Sequence, residues 1–134
     1  IMAKESDYSV SDKELQDFCE VRIVKKISNR DIFDMLITAF EGGINYWCGK
    51  IDAGKLGHVS ASKAFAMGQL DSMMLLDNEA EKWVRLSQEN VRKGLRIMAK
   101  KYTRHFNDMI NDNADAITAD VFIQCAVFGE TIYG

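Results

Sequence analysis

The chain has 134 residues, 47% of them hydrophobic and 28% charged, with a formal net charge of -3; this size and balance suit one globular domain able to bury its own core. The acidic balance gives no general affinity for nucleic acid, and no apolar run is long enough to cross a bilayer. Three cysteines, Cys19, Cys48 and Cys125, are odd in number and widely spaced, which argues against a disulfide framework, and no basic segment followed by an apolar stretch marks a secretory leader, so a cytoplasmic location is expected.

Residues 1–14 are read as a flexible N-terminal segment, the first thirteen being polar and without a period, and 15–134 as a single α+β domain. From Cys19 the residues alternate, with Cys19, Val21 and Ile23 on one side and Glu20 and Arg22 on the other, which predicts a strand. Ser28 with Asp31 three residues later starts a helix over about Asn29 to Glu41. Ile32, Phe33, Leu36, Ile37 and Phe40 form its apolar stripe, and Gly42-Gly43 ends it. Ile44 to His58 carries three glycines and no sustained period, so it reads as a long connection. Ser60 to Met67 predicts a short helix, stopped by Gly68.

Leu70–Leu76 and Lys82–Leu86 flank the polar Asp77-Asn78-Glu79, the pattern of a hairpin. Ser87 caps a predicted long helix over Gln88 to Ile110. Its apolar side carries Val91, Leu95, Met98, Ala99, Tyr102, Phe106 and Met109, and its other side Arg92, Lys93, Arg96, Lys100, Lys101 and Arg104. Thr118 caps a last helix over Ala119 to Phe128, ended by Gly129. The expected fold is a small, mainly antiparallel sheet, made of the N-terminal strand and the central hairpin, packed by about four helices.

Two glycine-aromatic segments stand out: Phe40–Gly49 (FEGGINYWCG) and Phe128–Gly134 (FGETIYG). Each follows a helix, and each presents side chains that stack or hydrogen-bond: Glu41, Asn45, Tyr46 and Trp47 in the first, with Lys50 directly after it, and Glu130 and Tyr133 in the second. As a ligand- or partner-binding surface they would converge on one pocket. As structure, the glycines are helix exits and Tyr46 and Trp47 cover the edge of the core.

Other chemistries are less well supplied. Neither segment contains a phosphate-binding glycine loop, and both follow a helix where such a loop would open one. His58 and His105 are the only histidines, no pair of ligand types falls at metal-binding spacing, and neither a metal nor a cofactor is expected. Cys48 and His58 are the elements of a thiol nucleophile without an identifiable orienting residue, and Glu41 is a further acid for an enzyme acting on a nucleotide or thiol-reactive substrate. The basic helix face is a low-ranking anion or nucleic-acid contact; a solvated face gives the same pattern.

The segment Ala39-Phe40-Glu41-Gly42-Gly43-Ile44-Asn45-Tyr46-Trp47 and the C-terminal run from Ala119-Asp120 through Gln124 to Phe128-Gly129-Glu130-Thr131-Ile132-Tyr133-Gly134 carry a resemblance. Over about Glu20 to Gly134 the chain resembles a family of small uncharacterised proteins encoded by bacteriophages and by integrated or conjugative elements of bacteria. The resemblance implies a mobile-element origin and action inside a bacterial host. By analogy of origin it also implies binding without catalysis, the partner being a host or element-encoded protein or a small nucleotide-like ligand, with counter-defence one such role. Nucleic acid and membrane are not expected as partners, and a homodimer is left open.

Overall fold

The structure is a computed structural model and describes residues 8–134. The order of elements is α1 (Asn29–Thr38), a π-helical turn (Ala39–Gly43), β1 (Cys48–Asp52), α2 (His58–Ala66), β2 (Ser72–Asp77), β3 (Lys82–Ser87), α3 (Gln88–Lys101), α4 (Thr103–Ile110) and α5 (Ala116–Phe128). The described residues thus form an α+β fold with one three-stranded antiparallel sheet in the order β1-β2-β3.

The local signals that formed as expected have visible causes. Ser28 and Asp31 make a reciprocal capping box at α1, with Asp31 N–H donating to Ser28 Oγ at 3.1 Å and Ser28 N–H to Asp31 Oδ2 at 3.2 Å. The hairpin pairs Leu76 with Trp83 and Asp77 with Lys82, and the Asp77 carboxylate holds its turn by accepting from the N–H groups of Glu79 and Ala80 at 3.0 and 3.1 Å, as an Asx-type turn does. Gly129 stands at φ 77° in the left-handed region and closes α5.

Several local expectations fail. The alternating segment from Cys19 to Val24 is not a strand: it is extended and exposed, with Val21, Ile23 and Val24 at 73%, 74% and 87% of full exposure. Alternation prepares one face for burial but supplies no neighbour, and the sheet takes its third strand from β1 instead, inside the stretch read as a connection. That strand is short, contains Gly49 and has a register irregularity between Cys48 and Lys50, so no period of two survives in its sequence.

The basic helix is two helices. Tyr102 leaves helical geometry at φ -127° and ψ 50°, and its hydroxyl accepts from Thr131 N–H at 3.0 Å, so a side chain on the apolar stripe is spent on tying the C-terminal segment. The last helix begins three residues early because Asp115, not Thr118, is its cap: Asp115 Oδ1 accepts from Thr118 N–H at 2.8 Å and from Thr118 Oγ1 at 3.0 Å.

α5 is the axis of the core. It is buried continuously from Thr118 to Ala126, the expected place for a helix apolar nearly all round. α3 lies against it closely enough that a Cβ added to Gly94 would sit 2.7 Å from Ala126 Cα. Gly43 meets the start of α5 in the same way, an added Cβ falling 2.6 Å from the Ala116 carbonyl oxygen; its smallness serves packing rather than the helix exit read from sequence. Met73 and Leu75 of β2 and Leu86 of β3 face this core. The register then places Lys50, Leu76 and Trp83 in one row, and Asp52, Met74 and Arg85 in the next, on the opposite, open face of the sheet.

Candidate functional site

The two glycine-aromatic segments do meet. Trp47 and Tyr133 lie with ring centroids 5.8 Å apart, and Phe128 completes a cluster at 5.3 Å from Trp47 and 5.8 Å from Tyr133. Two polar side chains of α5 organise the meeting. Asp120 Oδ1 accepts from Trp47 Nε1 at 2.8 Å and Asp120 Oδ2 from the Tyr46 hydroxyl at 2.5 Å. Gln124 donates from Nε2 to Asp120 Oδ1 at 2.9 Å, to the Tyr46 hydroxyl at 3.3 Å and to the Tyr133 carbonyl at 3.2 Å. Its Oε1 accepts from the N–H groups of Ile132 and Tyr133 at 2.7 and 3.0 Å. On the far side, the Tyr133 hydroxyl donates to Asp77, 2.8 Å from Oδ2.

This arrangement is a structural clamp. Trp47 and Gln124 are fully buried, Asp77 is fully buried and Asp120 nearly so. Among the described residues no buried side-chain nitrogen or oxygen lacks a partner. A ligand entering between Trp47 and Tyr133 would have to displace ring contacts and break satisfied hydrogen bonds, an expensive exchange in a low-dielectric site. Burial of its hydroxyl and the neighbouring Asp120 push the Tyr46 phenol up to about 12, and Tyr133 is raised in the same way by burial and Asp77; neither phenol is prepared to give up its proton. Asp120 and Gln124 are polar interruptions of an otherwise apolar helix, four residues apart and so on one face, but nothing local in the sequence names their partners.

The remaining predicted residues point outward. Glu41 is exposed and pairs with His58 Nε2 at 2.9 Å; Asn45, Lys50 and Glu130 are exposed, and the Tyr46 ring keeps about half its surface in solvent, at 53%. Surface grooves of 230 to 330 Å³ lie elsewhere, along α1, α2 and α3, and none is lined by Glu41, Asn45, Tyr46, Trp47, Lys50, Glu130 or Tyr133.

The ingredients of a thiol enzyme are not assembled. Cys48 is buried, its Sγ donates to the Lys50 carbonyl at 3.4 Å, and burial raises its thiol, the opposite of what activates a nucleophile. The imidazole that would serve it is engaged with Glu41. Among the described residues no group of three or more His, Cys, Asp and Glu is placed to hold a metal ion, and no helix is long and apolar enough to cross a membrane. Arg92, Lys93, Arg96, Lys100, Lys101 and Arg104 are all exposed, with Lys93 paired to Glu89 at 3.1 Å.

What sequence reasoning missed is the open face of the sheet. Outward rows of an antiparallel sheet are ordinarily polar, yet here Trp83 stands 45% exposed beside half-buried Leu76 and Met74, bounded by Lys50, Asp52 and Arg85. The signal was present in the hairpin itself: within SMMLLD, one set of alternating residues faces the core and the other, also apolar, must face out. Comparison of the chain with protein-family models, with curated proteins and with solved structures gave no match in any of the three.

Proposed function

We propose that the protein acts without catalysis, by binding another protein through the open face of the sheet. The carrying observation is the exposed Trp83 set among Met74, Leu76 and Lys50: a large aromatic on a rigid, hydrogen-bonded platform, with apolar neighbours and a charged rim, is the composition of an interface centre. Pre-organisation favours this use, since β3 holds Trp83 in register and little freedom is left to lose on binding. The small-ligand alternative is less well supported, because the pocket it requires is filled by the clamp's own rings. If the resemblance to phage and mobile-element proteins holds, the partner is a host or element-encoded protein.

The test is a comparative capture from bacterial lysate using wild type, Trp83→Arg and the control Asn45→Arg, all checked for native circular dichroism. A discrete protein retained by wild type and the control but lost with Trp83→Arg supports the reading. Identical retained proteins in all three sink it, and a thermal shift of the free protein by a nucleotide panel would favour the small-ligand alternative instead.

A further inference from the structure

The N-terminal segment carries an unfinished helix. Ser11 and Glu14 form a capping box: Glu14 N–H donates to Ser11 Oγ at 3.4 Å, while Ser11 N–H and Oγ donate to Glu14 Oε1 at 3.2 and 2.8 Å. Leu15 N–H reaches the Ser11 carbonyl at 3.1 Å, closing one helical turn. Val10 before the cap and Leu15 four residues inside stand where a hydrophobic staple has its pair. Beyond Gln16 the helix does not continue, although Leu15, Phe18 and Cys19 have the spacing of one helical face. Leu15 is 68% exposed and Phe18 fully exposed, at 101%. A start signal this complete, leading into an apolar face with no cover, describes a segment that gains its helix from what it packs against.

The covering surface has a chemistry the segment itself specifies. From Ser11 to Glu20 it has four acids, Asp12, Glu14, Asp17 and Glu20, against Lys13 alone, so the partner must offer apolar floor and basic rim. This molecule has such a place. A groove of about 310 Å³ runs along α3 with Leu95, Ala99 and Phe106 in it and Arg92 and Arg96 on its edge, walled on one side by Ile23 and Ile27 of the same N-terminal segment. The stretch Cys19–Arg22 joining that wall to the unfinished helix has none of the Gly, Pro, Asn, Asp or Ser that turn a chain back. Extended, its four residues span up to about 14 Å, a tether with no turn by which to lay Phe18 back into its own groove.

We infer that residues 11–20 fold as an amphipathic helix in the α3 groove of a second copy of this chain, the two copies exchanging segments about a two-fold axis. Each groove then receives Leu15 and Phe18, and Arg92 and Arg96 face the acidic flank. Exchange makes the contact self-complementary and closed. The area is small, so the dimer belongs at the weak, micromolar end of the range.

The full chain is followed by sedimentation velocity from low micromolar to about 0.5 mM at low and moderate salt, a range bracketing such an affinity. Helical circular dichroism and the reactivity of the Cys19 thiol are read at each concentration. The expected result is a salt-sensitive dimer whose formation raises helicity and slows labelling of Cys19. Leu15→Asp with Phe18→Asp, both at exposed positions, and Arg96→Glu, also exposed, should each weaken it by about tenfold or more. A chain that stays monomeric throughout overturns the inference, as does a dimer indifferent to either variant. Helicity and Cys19 protection that do not depend on concentration would overturn it too, by showing the segment docked on its own molecule.

Discussion

Replacing Gln124 by Met keeps the side-chain volume close to native while deleting five hydrogen bonds that join α5 to Tyr46, to Asp120 and to the segment of Ile132 and Tyr133. Asp120 Oδ1 keeps Trp47 Nε1, and the N–H of Ile132, a half-exposed residue, turns to water. The N–H and C=O of Tyr133 are left without partners, at roughly 1–3 kcal/mol each for a group that stays buried. Peeling the segment into solvent relieves that cost but forfeits the packing of the Tyr133 ring on Trp47 and Phe128, roughly 1.5–3 kcal/mol for an aromatic of this kind. The cheaper route sets the answer, so the expected loss is about 1.5–3 kcal/mol. Urea unfolding measures it, and amide exchange at Ile132 and Tyr133 should rise toward that of a free peptide. A loss under about 0.5 kcal/mol with both amides still protected would refute the reading of Gln124 as the tie.

Gly94→Ala would ordinarily favour a helix by about 1 kcal/mol; with the new Cβ 2.7 Å from Ala126 Cα it should instead destabilise by about 1–3 kcal/mol in thermal or urea unfolding. The Tyr46 phenol, raised in the folded chain from its ordinary 10 to about 12, contributes stability that is fully present below pH 10 and lost as the pH rises through 12. Absorbance titration should therefore show a late-ionising tyrosine that Tyr46→Phe removes, and a phenol titrating at the ordinary value would contradict the Asp120 contact. His58→Ala removes a pair in which both partners are about half exposed, so stability should change by less than about 1 kcal/mol. A thiol reagent applied to dilute native protein should modify Cys19, which is exposed, and reach buried Cys48 and Cys125 only on unfolding; burial also pushes Cys125 up to about 11.

The elements legible in the sequence are those whose signals are local. Ser28 and Asp31 cap α1 within four residues, and Asp77 bends the hairpin by accepting from its own turn. The elements that were not legible depend on partners distant in the chain. Val21 and Ile23 have strand character but no strand beside them, whereas Gly49 and Lys50 lack it and become strand because β2 supplies a ladder. The break at Tyr102 falls at a residue whose hydroxyl accepts from Thr131 N–H, far along the chain. For the candidate site, the sequence named the two segments that meet but not the reason they meet, since Asp120 and Gln124 look like interruptions of an apolar helix until their partners are placed. Trp83 carries no local signal of its exposure, because its outward position is set by the register of β3 on β2.

Trp47 is separated from Asp120 by 73 residues along the chain. At synthesis speeds of about 5–20 residues per second, roughly 4–15 s pass between the emergence of the indole and that of the carboxylate it needs. During that interval β1 and the hairpin can pair, but α5, which carries Phe122 and Ile123 and the clamp residues, has not been made. The nascent chain therefore presents the inner side of its sheet, Met73, Leu75 and Leu86 together with Trp47, as a sticky half-structure. Slowing translation between Ser87 and Asp115 would lengthen that exposure.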